Sequence, residues 1–405
     1  MPYWVSIAGL SLLALMWLRT LISLLRDEDL PAEWTLNEDT PPDPVDGLYP
    51  SLSVIIPARN EEDNIESCVR SAMNLDWPGA LEVVVLDDRS TDGTGSVLAA
   101  LETEFPELKV IQGRDPTDGW LGKPHALHIA QAAATGEWLW FVDADVVLNP
   151  QGARRLIGRT VLQDAEMSSA LGRLDTVSFW ERVIQTRLGA LIAGGNPLVE
   201  VNDAEHERAL ANGQCLLFRR DAYDRLGGHE AIKGSVLDDV DFAKRAKAEG
   251  VSYRLFYGPG VFSCRMYRGL NEIWHGWSKN LFPALDYSLI ATAIITALLF
   301  AGTVLPFVLL AKNAWLHATG TAVAPAILWL EVFICALIFI VDAVGHKVRG
   351  YRWGLFWTFP IGMMAIIILF WNSAIRITTG AGAVWKGRVV EQGRPRKTDD
   401  LENSG

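Results

Sequence analysis

The chain has 405 residues, half of them hydrophobic, and a formal net charge of −12 at pH 7. This acidic balance argues against a nucleic-acid partner, because phosphate backbones attract basic surfaces. The four cysteines, at positions 68, 215, 264 and 335, are widely separated and include no C-x-x-C pair. They predict neither a disulfide framework nor a cysteine zinc site, which fits a cytosolic catalytic part.

Four apolar segments have about the 20 residues needed to cross a hydrocarbon core of roughly 30 Å. They are Tyr3–Leu18, Leu289–Leu310, Ala322–Val341 and Trp353–Trp371. For the first segment, a buried helix of a soluble protein is an open alternative. Tryptophan is abundant, at 16 residues, and several flank these segments, as is typical of the headgroup level of a membrane.

Basic residues follow the first apolar segment, at Arg19 and Arg26, and the positive-inside rule then predicts that residues 30–280 are cytoplasmic. The basic loop 346–352 and the basic tail are expected on the same side. Four full crossings would instead leave the tail outside, so one segment is expected to be re-entrant or interfacial. The fourth is the candidate, because Pro360 lies in its middle. The predicted location is a bacterial-type inner (cell) membrane, with several crossings.

Strand and helix patterns alternate along the middle of the chain. The expected strands are Leu52–Pro57, Leu81–Leu86, Lys109–Gln112 and a run ending at Asp143, and the expected helices are Ile65–Met73, Val97–Glu104 and Pro124–Ala134. This alternation predicts an α/β fold with a mostly parallel sheet and helices on both faces. Ligands of such sheets bind at the carboxyl ends of the strands.

The expected organisation has five parts. They are an N-terminal transmembrane anchor (1–26), a proline-rich linker (27–50), a cytoplasmic α/β domain (51–285), a C-terminal membrane region of two to three helices (286–375) and a basic, polar tail (376–405).

The fourth predicted strand, Trp138–Val142, runs directly into Asp143, Ala144 and Asp145. Alternate residues of an extended chain point the same way, so both carboxylates can face one point. Mg²⁺ and Mn²⁺ prefer such oxygen ligands, with phosphate and water completing the coordination shell. The alternative interpretation is that the two acids only cap or shape a turn.

Polar residues also follow the other predicted strands and precede the third predicted helix. They are Pro57, Asn60 and Glu61 after the first strand, Asp87 and Asp88 after the second, and Lys123 at the end of a G-x-G-K-like turn. Each alone is compatible with capping or with a solvated charge. Four such stretches at one sheet edge favour a ligand site.

In order and spacing these stretches resemble the family 2 glycosyltransferases, over about residues 50–285. That family has the GT-A fold, a nucleotide-sugar-binding, Rossmann-like sheet. The resemblance implies that a UDP-sugar is held by Pro57, Asn60, Glu61, Asp87, Asp88, Lys123, Asp143, Ala144 and Asp145. It further implies that Glu61 and Asp88 hold the uracil and ribose. Asp143 and Asp145 are expected to hold Mg²⁺ or Mn²⁺ against the diphosphate.

Two later stretches extend the resemblance. The segment 212–219 is similar to the family's acceptor-side segment and contributes Gly213 and Gln214. The segment 236–242 is similar to its E-D motif, with Asp238 in place of glutamate and Asp239 as the implied catalytic base. The alternative for these acids is stabilisation of a helix N-terminus.

The family's Q-x-x-R-W motif is only partly kept. Ile273 and Gly276 replace the glutamine and arginine, while Trp277 remains. This departure counts against a polysaccharide synthase. Four residues of the stretch are expected on the acceptor and diphosphate side: Trp274, His275, Trp277 and Lys279. For the two tryptophans, a place in the membrane interface is an equal alternative.

Near the end of the chain, residues 385–388 resemble a W-K-G-R motif of lipid-directed members, including those acting on hopanoid and carotenoid lipids. Its basic pair, Lys386 and Arg388, is expected to close over the diphosphate or to bind anionic headgroups. Trp385 and Arg388 are expected on the acceptor and diphosphate side. Glu331 lies in the middle of the third apolar segment, and Asp342 lies near its end. They are expected either to pair with a neighbouring helix or to guide a lipid hydroxyl.

The expected function is inverting, metal-dependent transfer of one sugar from a UDP-sugar to a hydroxyl of a membrane lipid at the cytoplasmic face. A hydroxylated carotenoid, a hopanoid, a sphingoid lipid of the ceramide type and a glycerolipid are all compatible acceptors. The alternatives are a polysaccharide synthase and a non-catalytic scaffold that binds a nucleotide-sugar or lipid.

Overall fold

The computed structural model describes residues 3–26, 30–41, 49–379, 383–385 and 388–390. The helices within these ranges are α1 Tyr3–Leu25, α2 Ile65–Met73, α3 Thr94–Glu104, α4 Gly122–Gln131, α5 Gly152–Leu162, α6 Thr186–Gly195, α7 Leu198–Asn202, α8 Arg220–Arg225, α9 Asp238–Ala248, α10 Leu270–Asn280, α11 Leu289–Leu299, α12 Leu305–Ala318, α13 Pro325–Val348 and α14 Phe359–Thr378.

The strands are β1 Leu52–Ala58, β2 Leu81–Asp87, β3 Lys109–Gln112, β4 Trp138–Val142, β5 Val146–Leu148, β6 Met167–Leu171, β7 Arg173–Leu174, β8 Cys215–Arg219, β9 Tyr253–Tyr257, β10 Phe262–Cys264, β11 Ala383–Trp385 and β12 Arg388–Val390. Seven of them form one sheet in the order β3-β2-β1-β4-β8-β6-β9. Only β8 runs antiparallel to its neighbours in that sheet. The predicted α/β fold with a mostly parallel sheet is confirmed.

Apolar side chains on both faces of this sheet form two separate cores. One core packs against α2, α3 and α5, and the other against α4, α8 and α9. β1 lies between β2 and β4 and is parallel to both. The chain therefore changes direction across the sheet beside β1, and the carboxyl ends of β1, β2 and β4 open into one crevice, where ligands of α/β sheets bind.

The segment before the sheet is more closely packed than a linker is expected to be. Leu36 is fully buried, and its N–H donates to the carbonyl oxygen of Tyr257 at 2.7 Å. The buried guanidinium of Arg155 donates to the carbonyl oxygens of Glu38 and Thr40. Residues 30–41 therefore pack against the α/β domain.

Four helical segments of the described chain are long and apolar enough to cross a membrane: Ser6–Leu25, Leu289–Ala318, Pro325–Val348 and Trp353–Thr378. The fourth differs from the sequence expectation. Pro360 lies in the first turn of α14, not in the middle of a helix. Proline fits there because first-turn N–H groups have no partner within the helix. The break in this segment therefore precedes α14, where residues 353–358 form a 3₁₀ turn.

A third apolar core joins the α/β domain to the membrane segments. It includes side chains of α1, α10, α13 and α14, together with the π-helical turn Glu181–Gln185. α10 and the π turn thus bring the α/β domain into direct contact with the candidate membrane helices.

Candidate active site

Lys123 lies at the centre of the candidate site, in the first turn of α4. Its ammonium nitrogen is 2.8 Å from Asp143 Oδ1 and 3.8 Å from Asp238 Oδ2. It also lies 3.5 Å from the carbonyl oxygen of Gly213. Burial opposes its charge, but the two carboxylates together raise the pKa of Lys123. One cation thus connects the D-x-D turn with the first turn of α9.

Asp239 is held in place by backbone groups. One carboxylate oxygen accepts from the N–H of Gly213 at 2.7 Å, and the other from the N–H of Val240 at 2.8 Å. Burial and the neighbouring charge of Asp238 raise the pKa of Asp239 to about 7, although Lys123 works against this shift. A carboxylate with a pKa near the working pH is suited to accept a proton.

Asp238 is buried, with 6% of its surface exposed, and lies between the two sides of the site. Burial raises its pKa, and the ammonium group of Lys123 opposes that rise. The charge of Lys279, on α10, opposes it more weakly. Asp238 thus lies near Lys123, while Asp239 is held by the backbone.

On the donor side, Asp88 follows β2 and forms ion pairs with two arginines. Its carboxylate accepts from Arg89 at 2.8 Å and lies 3.7 Å from Arg59. Arg89 also pairs with Asp115. The side chain of Asp88 is therefore fixed at the sheet edge, next to His125 of α4. Burial lowers the pKa of His125, and the charge of Asp88 offsets part of that decrease.

Two of the predicted donor-binding residues shape turns. The Asn60 side-chain oxygen accepts from the N–H of Thr91, and the Asp87 carboxylate accepts from the N–H of Ser90. Asn60 has a φ of 51°, a left-handed conformation that asparagine tolerates. These oxygens bind the chain itself and fix the loops that carry the other donor-side groups.

Three further residues of the predicted donor-binding set lie in or just after β1 and in the D-x-D turn. Glu61 follows β1, and its carboxylate accepts from Asn64 at 2.9 Å. Pro57 lies within β1, and Ala144 is buried between the two acids of the D-x-D turn. All three border the crevice, and only Glu61 presents a charged group.

Asp143 and Asp145 fit a metal ion only if a substrate shares it. Among the described residues no group of three or more histidine, cysteine, aspartate or glutamate side chains is arranged to hold a metal. Two carboxylates supply fewer than the six or so oxygens that Mg²⁺ takes, which leaves places for phosphate oxygens and water. The residues therefore fit a cation that arrives with a diphosphate.

Asp145 and Gln214 meet through a cysteine that the sequence did not single out. The Cys264 thiol donates to the Asp145 carboxylate, and Gln214 Nε2 donates to Cys264 Sγ at 2.8 Å. Burial and the Asp145 charge raise the pKa of Cys264, so its thiol stays protonated. This contact ties the predicted acceptor-side segment to the D-x-D turn.

α10 carries the four predicted acceptor-side residues Trp274, His275, Trp277 and Lys279. Trp274 and Trp277 pack against the third apolar core. The β11–β12 hairpin pairs Trp385 with Arg388 through the backbone, and β11 lies beside α10. The side chains of both hairpin residues, and all of Lys386, lie outside the described part of the chain.

The two acids of the third apolar segment both pair with other elements. Asn313 of α12 donates to Glu331 at 2.7 Å. Asp342 accepts two hydrogen bonds from Arg187, at 3.1 and 2.8 Å. The expectation of pairing with neighbouring helices is therefore met, and the partner of Asp342 comes from α6 of the catalytic half.

Some contributors were not predicted from the sequence. They are Arg59, Arg89, Cys264 and Arg187. A signal was present for the first two, since each arginine adjoins an acidic loop residue. For the others no local pattern indicates a role, because their partners are distant in the chain.

Comparison with known proteins gives a family match. The family model described as "Glycosyl transferase family 2" matches residues 53–227. The 4,4'-diaponeurosporenoate glycosyltransferases of Staphylococcus aureus strains USA300 and NCTC 8325 are 27% identical over 237 residues. The alignment covers 58% of this chain and 61% of each relative, so the chain spans about three fifths of the length of these relatives.

Solved structures show weaker likeness. A mannosyltransferase from Pyrobaculum calidifontis, in complex with GDP-Man and Mn²⁺, is 19% identical with a TM-score of 0.47, over 91% of this chain and 97% of the other. TarS (1–349) of S. aureus, in complex with UDP-GlcNAc, is 14% identical with a TM-score of 0.40, over 85% and 98%. The family match shows that residues 53–227, on a mixed sheet typical of the GT-A fold, are similar to the family 2 glycosyltransferases.

Proposed function

We propose that the protein transfers a single sugar from a UDP-sugar to a hydroxyl group of a membrane lipid, with inversion at the sugar C1. The observation that carries this proposal is the placement of Asp239. It is held by two backbone N–H groups, has a pKa of about 7, and directly follows Asp238, whose carboxylate lies 3.8 Å from the Lys123 that binds Asp143 of the D-x-D turn. A base is thus fixed next to a site for a diphosphate.

Each group has a defined task in this proposal. Glu61 and Asp88 accept hydrogen bonds from the uracil and ribose, whose N–H and O–H groups are donors. Lys123 offsets the charge that develops on the departing UDP. Asp239 takes the proton of the acceptor hydroxyl. As it does so, the oxygen of that hydroxyl bonds to C1, and the bond from C1 to the diphosphate oxygen breaks. Attack from the side opposite the diphosphate inverts C1.

Asp143 and Asp145 are the residues that would hold a divalent cation. Such a cation, when bound with the donor, neutralises charge on the diphosphate. Asp143 already bonds to Lys123 at 2.8 Å, so its orientation is fixed before any donor arrives. Asp145 is oriented through the Cys264 thiol.

A lipid acceptor follows from the place of α10. The charge of Lys279, on this helix, acts on the Asp238 carboxylate. The same helix packs in the core shared with the membrane helices α13 and α14. An acceptor that stays in the bilayer can therefore reach the site along α10. The acids outnumber the cations around Asp239, which favours a neutral hydroxyl over an anionic acceptor.

A second candidate acceptor is a lipid carboxylate. The relatives are named for 4,4'-diaponeurosporenoate, and that name denotes a carboxylate. A carboxylate is already deprotonated at neutral pH, so the transfer of a sugar to it needs no base, and the product is an ester. Treatment with mild alkali distinguishes the two products, because an ester is cleaved and a glycosidic acetal is not.

We infer that the catalytic half is cytoplasmic and that α14 begins and ends on the same side as it. Just before α14, Thr358 accepts from Arg187 at 3.2 Å. Near its C-terminus, Ser373 accepts from the N–H of Phe282 at 3.0 Å. Beyond α14, β11 lies beside α10. A segment that returns to one side places the basic tail there too, in agreement with the positive-inside rule.

Thiol labelling of intact cells tests this orientation. The four native cysteines are buried, so single Thr319→Cys and Thr379→Cys variants can be read with a membrane-impermeant reagent. Labelling is expected at position 319 in intact cells, and at position 379 only after permeabilisation. Labelling of position 379 in intact cells contradicts the inference.

UDP release tests the proposed activity. Detergent-purified protein is supplied with a panel of UDP-sugars, Mn²⁺ and total lipid extract. Release from one donor is expected, stimulated by lipid and abolished by chelation, with one lipid-soluble product bearing one sugar on a thin-layer plate. A ladder of products supports the polysaccharide synthase instead. UDP binding without release from any donor supports the scaffold.

A further inference from the structure

The end of α13 and the residues that follow it carry a cluster of cations, which we name the basic turn: Lys347, Arg349 and Arg352. The chain as a whole has a net charge of −12, but residues 343–390 contain no aspartate or glutamate. A basic segment without acids, next to a candidate membrane helix, is expected to attract anions at the membrane surface.

The backbone of the basic turn is fixed by the end of α13. The N–H of Gly350 donates to the carbonyl oxygen of Lys347 at 3.1 Å, and the N–H of Tyr351 donates to that of His346 at 2.8 Å. Gly350 has a φ of 74°, the left-handed conformation that this type of helix end requires. The rings of Tyr351 and His346 also pack together, with centroids 6.0 Å apart. The three cations are therefore carried by a folded turn.

The side chains of the basic turn are accessible to a ligand. Lys347 and Arg352 are exposed, and Arg349 is half-buried. Arg349 donates to the carbonyl oxygen of Gly345 at 3.3 Å. Within the described ranges of the chain, no carboxylate forms an ion pair with any of the three cations. Their charges are thus available to an anion from outside this part of the protein.

Two exposed tryptophans place the basic turn at the level of lipid headgroups. Trp353 and Trp357 are 56% and 53% exposed, and both lie in the 3₁₀ turn that directly follows Arg352. Tryptophan side chains favour the interface between hydrocarbon and water. On the other side of the basic turn, α13 is long and apolar enough to cross a membrane. The cations therefore lie where a membrane helix reaches the headgroups.

The basic turn is also joined to the α/β domain. Arg187 of α6 donates to the carbonyl oxygen of Leu355 at 3.1 Å and to Thr358 at 3.2 Å, both after the turn. The same guanidinium pairs with Asp342, which precedes the turn. One side chain of the domain thus holds both flanks of the basic turn, so a lipid bound there contributes to fixing the domain at the membrane surface.

We propose that Lys347, Arg349 and Arg352 bind the phosphate of an anionic phospholipid in the leaflet next to the α/β domain. Ammonium and guanidinium groups donate strong hydrogen bonds to phosphate oxygens. A zwitterionic lipid is a poorer ligand, because its own ammonium group is repelled by the cations. This site is separate from the sheet edge, and the proposal does not rest on the proposed function.

Binding of a fluorescent phosphatidylglycerol to the full-length, detergent-solubilised protein tests the site. Unlabelled phosphatidylglycerol is expected to compete, and phosphatidylcholine and inorganic phosphate are expected to compete about tenfold less well. Each cation at an anionic membrane surface contributes about fivefold in affinity. Lys347→Gln should therefore weaken binding about fivefold, and Lys347→Gln combined with Arg352→Gln about thirtyfold.

Two controls separate the charge of this site from folding and from charge in general. Lys347→Arg combined with Arg352→Lys keeps both charges and should bind phosphatidylglycerol as wild type does. Lys109→Gln removes a surface cation of the edge strand β3, where Lys109 pairs with Glu82. This variant should leave lipid binding within a factor of about two. Without lipid, every variant should unfold at the wild-type temperature.

The result that overturns the proposal is equal competition by phosphatidylglycerol and phosphatidylcholine, as expected if other acids of the chain neutralise the basic turn. Wild-type affinity in the double glutamine variant also overturns it. Competition by inorganic phosphate as strong as that of the lipid would show a general anion site instead. Loss of binding that accompanies a loss of thermal stability, and that the charge-preserving pair does not restore, would show damage to α13 and not loss of a lipid site.

Discussion

Two charged clusters lie at the two ends of the catalytic half, and they are built in opposite ways. At the sheet edge, Lys123 and Asp143 keep 36% and 30% of their side chains exposed. At the membrane junction, Arg187 and Asp342 keep 2% and 4%. The first cluster is open to ligands, and the second is closed.

The clusters also differ in how completely they are paired. The five N–H bonds of Arg187 find acceptors on Asp342, Val183, Thr358 and Leu355. At the sheet edge, Lys123 makes one short contact, to Asp143, and lies farther from Asp238 and from the carbonyl oxygen of Gly213. In a fully paired cluster no polar group is left to bind a ligand, and the cluster connects two parts of the chain. A cluster with more carboxylates than cations can bind a further cation.

Asp239→Asn gives the largest expected effect, because asparagine keeps the shape of the side chain and cannot accept a proton. Transfer to a hydroxyl should fall about 10²- to 10⁴-fold, the range for loss of a general base. UDP binding with Mn²⁺ should change little, since Asp239 is assigned to the acceptor. The measurements are UDP release and calorimetry on the same preparation.

Glu249→Gln is the matched control for this variant. Glu249 lies at the other end of α9 and pairs with Arg245 at the surface, so its loss should leave transfer within a factor of about two. An Asp239→Asn variant that retains full transfer, with a product that mild alkali cleaves, contradicts the hydroxyl proposal and supports the carboxylate acceptor.

The sheet-edge cluster could be anticipated from the sequence, and the membrane junction could not. Strand ends meet at one edge of a parallel sheet, so Asp88, Asp143 and Asp145 could be placed together from local patterns alone. Arg187 and Asp342 are 155 positions apart. Nothing near either residue indicates the other, because such a pair exists only once the helices have packed.

Within the predicted set, the sequence could not separate residues that face a ligand from those that face the chain. The side-chain oxygens of Asn60 and Asp87 accept hydrogen bonds from N–H groups of a loop. The same residue types serve both purposes, and only hydrogen-bond geometry distinguishes them.

Arg187→Met tests the junction and should reduce stability rather than chemistry. Removing one partner leaves Asp342 buried without its counterion, at a cost of about 3–5 kcal/mol. The thermal midpoint of the solubilised protein should drop clearly. Arg187→Met combined with Asp342→Leu should recover most of the loss, because no charge then remains unpaired.

Arg219→Met is the control for the junction. Arg219 pairs with Asp221 and Glu166 at the surface, and such pairs contribute about 0–1 kcal/mol. Equal losses for Arg187→Met and Arg219→Met would show that the junction contributes no more than a surface pair. The contrast between the two clusters would then be one of burial alone.

The pH profile gives the smallest effect and addresses the sheet-edge cluster directly. Because Asp239 must be deprotonated to act and its pKa is raised to about 7, kcat/KM should fall about tenfold per pH unit below that value. The dependence of stability on pH has the opposite sign. The pKa of Asp239 is raised in the folded state, so the stabilising contribution of this group is present at low pH and is lost as the pH rises through about 7.

Lys123→Met should move the acidic limb of the activity profile to higher pH, because Lys123 lowers the pKa of Asp239. A profile that stays flat to pH 5 would mean that the acidic surplus holds a donor without supplying the base, which is the behaviour expected for a carboxylate acceptor.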